Sequence, residues 1–103
     1  MATRESIEFD FQQAIAQAEK IEELSVALNT LANNKFQGTL QNIQVNWKGE
    51  RSAQYLSKGS KLQGKMDGTA YDLSQIAEDI RTIAKRIYDS EMAALAIAAK
   101  RDY

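Results

Sequence analysis

Proline is absent from all 103 residues of this chain, and the one strong interruption to helical patterning is Trp47-Lys48-Gly49, near the midpoint. Proline is the residue that most reliably ends a helix, so a chain without it is free to run in long helices wherever apolar residues recur every three or four positions. A single break between two such stretches predicts a hairpin: a first helix over about 10–45, a turn over 46–49 and a second helix over about 50–100, with the tail 93–103 free to move. No repeat, linker or low-complexity block divides the chain, so the expectation is one all-α domain.

The first helix has a start signal at Asp10, whose side chain can cap it while Gln13 reaches back three residues later, and Phe9 stands where it can staple against Ala14. Thr3 offers an earlier start. Ala14, Ile21 and Leu28 fall seven apart, with Leu24 and Leu31 between them, which is the spacing of a coiled-coil seam. Beyond Leu31 the stripe drifts through Ala32, Phe36, Leu40, Ile43 and Trp47, a slightly rotated face. In the second arm Gly49 or Ser52 can cap, and Glu50 suits the positive end of the helix dipole. Leu73, Ile76, Ile80, Ile83 and Ile87 then alternate three and four apart, the clearest periodic signal in the sequence. The predicted hairpin or dimer seam is therefore Leu24, Leu28 and Leu31 against Leu73, Ile76, Ile80, Ile83 and Ile87.

Gly59, Gly64 and Gly68 would each cost about 1 kcal/mol inside a helix relative to alanine. Two explanations stand side by side. Gly64 and Gly68 share a face and could admit a closely packed neighbour, or the stretch from Gly59 to Gly68 could be kinked. Glu78 with Arg81 and Lys85 with Asp89 are spaced to pair along a solvated face, each pair worth a few tenths of a kcal/mol.

Composition narrows the function. Thirteen Lys and Arg against 14 Asp and Glu leave no overall positive excess to neutralise a phosphate backbone, so nucleic acid is not an expected partner. The longest apolar run, Met92 to Ala99, falls far short of the roughly 20 residues that span a bilayer, and stable membrane insertion is not expected. A membrane-active amphipathic helix is disfavoured by the balanced charge. With no histidine and no cysteine, the usual general base, the thiol nucleophile and the Glu-x-x-His iron ligand set of bundle enzymes are missing. Glu19, Glu22 and Glu23, or Asp67 and Asp72, sit in polar surroundings where desolvation would be slight, so they read as solvated faces ahead of acid/base sites. Neither catalytic, cofactor-binding nor metal-binding residues are assigned, and no cofactor is expected. Trp47 can close the hairpin end while Gly49 relieves the backbone, and an indole at a turn can also present an edge to a receptor. MATRESIEFDF lacks the pattern of a Sec-type leader, so export, if it occurs, is expected by another route.

About one hundred residues, a central Trp47-Lys48-Gly49, helical arms and no Sec-type leader together resemble the WXG family of small type VII (ESX) secretion proteins. The resemblance covers the whole chain. It implies synthesis in the cytoplasm of a monoderm bacterium, an antiparallel two-helix hairpin with a Trp-x-Gly turn at Trp47 and Gly49, dimerisation into a four-helix bundle, and export driven by a secretion ATPase. The family's Tyr-x-x-x-Asp/Glu export element is matched here only as Tyr88-x-x-Glu91, because Met92 occupies the fourth position. Tyr88, Glu91, Met92 and Leu95 are the candidate recognition stripe for the ATPase. The family role is a secreted or co-secreted adaptor that works as a homodimer or as a heterodimer with a related small helical protein. The alternative is a cytoplasmic targeting chaperone that covers the helical N-terminal domain of a larger exported toxin.

Overall fold

A computed structural model describes residues 3–47 and 49–101. It is all-helical, without strands among those residues, and has the character of a helical hairpin. Helix α1 spans Arg4–Thr30, a π-helical segment follows over Leu31–Phe36, α2 spans Gln37–Asn46 and α3 spans Glu50–Arg101. Lys48, Asp102 and Tyr103 lie outside the described residues.

The first helix starts at Arg4, ahead of the Asp10 signal. Thr3 and Ser6 cap it reciprocally: the Ser6 N–H donates to Thr3 Oγ1 at 3.1 Å and the Thr3 N–H donates to Ser6 Oγ at 2.9 Å. Glu5 adds negative charge to the first turn, where the dipole favours it. With these donors satisfied upstream, Asp10 is an interior residue, and Phe9 is 62 % exposed instead of stapled to Ala14.

Packing divides the chain into two units. One combines Met1–Ile21 with Gln75–Tyr103, and the other is Glu22–Ser74. In the first, Ile7, Ala18, Ala77 and Ala84 are buried, and the Phe11 and Tyr88 rings meet at 4.9 Å between centroids. In the second, Ser25, Ala32, Ser52 and Ala70 are buried, and the Ser25 hydroxyl donates to the Ala70 carbonyl at 2.6 Å. Apart from Ile7, the buried positions carry small side chains, which let helix backbones come close.

This revises the predicted seam. Leu28, Leu73 and Ile80 are half-buried, but Leu24 (61 %), Leu31 (45 %), Ile76 (47 %), Ile83 (53 %) and Ile87 (52 %) are exposed. The buried residues Ser25, Ala32, Ala77 and Ala84 stand one position after Leu24, Leu31, Ile76 and Ile83. One residue turns the helix by about 100°. A seam read from side-chain size lands beside the one that sterics select, because the small residues follow the same seven-residue spacing as the large ones.

Helix α3 runs through Gly59, Gly64 and Gly68 as α-helix, so the stretch is not a break in the helix. Close approach occurs at Gly59, where a Cβ would collide with the Leu40 side chain. At Gly64 and Gly68 a Cβ would meet nothing within 4 Å. The expectation of a tightly packed Gly64–Gly68 face is therefore not realised within the chain.

The π segment lies where the stripe drifts. From Ala32 the inward positions step four to Phe36, four to Leu40 and three to Ile43. Phe36, at the end of the π segment, and Leu40 and Ile43 beyond it are half-buried. Side chains satisfy groups that the altered ladder leaves available. Gln63 Nε2 donates to the Ala32 carbonyl at 3.1 Å, and Asn33 Nδ2 donates to the Asn29 carbonyl and to Asp67 Oδ1, both at 2.9 Å.

Candidate interaction surfaces

At the end of α2, Trp47 turns to an extended conformation (φ −114°, ψ 126°) while its N–H still donates to the Ile43 carbonyl at 2.8 Å. Gly49 has φ +119°, a region that side-chain-bearing residues rarely enter. Its carbonyl accepts the Ala53 N–H at 3.3 Å and the Ser52 hydroxyl at 2.8 Å, which starts α3 at Glu50. The Trp47 indole lies 5.5 Å from the Tyr55 ring, yet both stay more than half exposed. The aromatic pair is held in place and open to solvent together.

The recognition stripe predicted on α3 lies in the first unit. Tyr88 is half-buried on Phe11, with the Lys85 ammonium 5.4 Å from its ring centroid. Lys85 also pairs with Asp89 at 2.8 Å, and that hydrogen bond, aided by the carboxylate's charge, raises the Lys85 pKa above its ordinary value. The expected partner of Glu78, Arg81, stands 3.2 Å away. Glu91, Met92 and Leu95 are half-buried, and a cleft of about 180 Å³ opens between Ile7, Phe11, Ile87 and Tyr88, with Asp10 and Glu91 on its rim. Tyr88 therefore already has an intrachain partner. α3 continues through the alanine-rich tail to Arg101, so the described part of that tail is helical.

Two sets of large apolar side chains have no such cover. On α3 of the first unit Ile76, Ile83 and Ile97 are exposed, separated by seven and fourteen residues and hence on one face. In the second unit Leu24 and Leu31, also seven apart, are exposed, and Leu31 borders a hollow of about 500 Å³ beside the π segment.

A third surface carries a basic character that the sequence reading missed, having taken its Tyr55 and Leu62 as part of the apolar face that opens the second helix. Arg51, Tyr55, Lys58, Leu62 and Lys65 step along α3 by four, three, four and three residues, so they form one face, and all five are exposed. Among the described residues Arg51, Lys58, Lys61 and Lys65 make no ion pair or side-chain hydrogen bond. Whole-chain net charge hides this face: residues 24–66 hold six of the 13 basic residues and only one acidic residue, Glu50. A regional charge count would have found it.

Among the described residues no group of three or more carboxylates is arranged to hold a metal ion, and no helix is long and apolar enough to cross a membrane. Comparison with known protein families, with characterised proteins and with solved structures finds no significant match. What the chain offers is helix faces and an aromatic corner.

Proposed function

We propose that this chain is a protein-binding adaptor of a bacterial type VII secretion system, a hairpin that pairs with a second helical chain to complete a four-helix bundle and accompanies or joins the exported material. The supporting observation is the inverted packing: small residues close the hairpin, while Leu24, Leu31, Ile76, Ile83 and Ile97 stay exposed. Contiguous apolar faces on a small soluble domain are costly unless a partner covers them. The exposed Trp47 beside Gly49 suits the Trp-x-Gly turn that the resemblance implies, and the work is binding, not catalysis.

The proposed export element comprises Tyr88, Glu91, Met92 and Leu95, read by the secretion ATPase. Its test is export in the native host of the parent, of Tyr88→Ala and of a chain lacking residues 93–103. Loss of export with retained self-association supports the reading, and undiminished export of both variants counts against it. One observation favours the targeting-chaperone alternative, since Tyr88 is engaged with Phe11 and Lys85 instead of standing free. Co-expression with neighbouring genes followed by pull-down separates the two, because capture of a large toxin through its helical N-terminus marks a chaperone.

A further inference from the structure

The exposed basic face near the start of α3 has no role in the adaptor reading and stands independently of it. Its charge is uncompensated: Arg51, Lys58 and Lys65 are exposed and unpaired among the described residues, and Lys61 adds a fourth cation nearby. Its apolar content is just as specific. Tyr55 is 56 % exposed, Leu62 50 % and Trp47 54 %, and Trp47 is held against Tyr55. Arg51, Gln54, Tyr55 and Lys58 line a shallow groove of about 220 Å³.

Cations alone would suit any polyanion. Cations that alternate with a tyrosine and a leucine, beside an exposed tryptophan, suit an anionic surface with an apolar layer beneath its charges. In a bilayer the indole and phenol rings sit at the headgroup level, lysine and arginine pair with anionic lipids, and an aliphatic side chain such as Leu62 reaches the acyl boundary. A phosphodiester backbone gives Leu62 no comparable partner. We propose that the α3 face of Arg51, Tyr55, Lys58, Leu62 and Lys65, with Trp47 beside it, is a peripheral docking surface for anionic lipid bilayers, engaged without insertion of a membrane span.

Flotation of the full chain with vesicles tests this, using phosphatidylcholine alone and with about a third of phosphatidylglycerol added, over a salt series. The parent is expected to float only with the anionic vesicles and to release as salt rises. Trp47, the only tryptophan, should show a blue-shifted emission on binding. The variant Arg51→Gln/Lys58→Gln/Lys65→Gln should bind on the order of 100-fold more weakly, since each basic residue near an anionic surface contributes about a factor of five. Lys20→Gln/Arg86→Gln/Lys100→Gln, with the same change in net charge, should float like the parent, and circular dichroism checks that both variants stay helical. The proposal is overturned if the parent fails to float at low salt, or if both triple variants lose binding equally. It is also overturned if the parent prefers an oligothymidylate to the vesicles. Loss of self-association by the first variant, with no vesicle binding by the parent, would assign the face to a second copy and overturn it as well.

Discussion

The two units of the hairpin close the gap between their helices in different ways. In the unit built from the chain's two ends, contact is apolar: Ile7, Ala18, Ala77 and Ala84 are buried, and Phe11 lies on Tyr88. In Glu22–Ser74, side chains reach across to backbone and carboxylate oxygens, from Ser25 to Ala70, from Gln63 to Ala32 and from Asn33 to Asp67. The second unit also contains the π segment and the close contact at Gly59. Regular seven-residue spacing needs only small residues at the seam, whereas an extra residue in one arm leaves polar groups that the other arm must satisfy. The comparison predicts that the first unit is sensitive to volume and the second to backbone geometry.

The largest expected effect is overpacking of the first unit. Ala77→Leu places a large side chain at a fully buried position and should cost about 1–3 kcal/mol, while Ile76→Ala next to it, half exposed in the single chain, should cost less in the monomer. Urea denaturation of both variants measures this, and a reversed order would return the seam to the large aliphatic residues. Next come the glycines of the second unit. Gly59→Ala must turn the Leu40 side chain aside, which offsets alanine's better helix propensity and should leave stability within about 1 kcal/mol of the parent. Gly64→Ala, with open space around its Cβ, should raise stability by about 0.5–1 kcal/mol in the same assay.

Smaller still is the effect of deleting Asn34. A π turn closes over one residue more than an α turn, so with Asn34 removed the segment should become α-helical with stability within about 1 kcal/mol of the parent. Global unfolding of that variant would contradict the account of the π turn. The smallest effect is that of pH. With no histidine, stability should be nearly flat between about pH 6 and 9. The raised Lys85 pKa favours the folded state fully below pH 10.5, and this advantage is lost only as pH rises through the folded value. The group is fully exposed, so thermal melts across that range should nearly superimpose.

Much of this architecture is legible in the sequence because it depends on local signals. The lack of proline, the Trp47–Gly49 break and the three-four pattern from Leu73 to Ile87 each constrain neighbouring residues, and the helices follow. The face that each helix turns inward depends on the other helix, and there the reading failed: Leu24 and Ser25, or Ile76 and Ala77, carry the same periodicity, and only packing in three dimensions decides between them. The start at Arg4 was hidden because Thr3–Ser6 and Asp10–Gln13 both offer caps. The basic face of Arg51, Lys58 and Lys65 was lost in a whole-chain average. Where the inward stripe drifts after Ala32, the sequence does mark the place that the π segment occupies.

The central claim is that small residues close this hairpin and leave aliphatic faces for another polypeptide. Native mass spectrometry of the purified chain at micromolar concentration tests it most directly. A two-chain species at twice the 11.5 kDa chain mass is expected, reduced to single chains by Ile76→Ala combined with Ile83→Ala. A folded parent that stays at 11.5 kDa and binds no hydrophobic dye would contradict it.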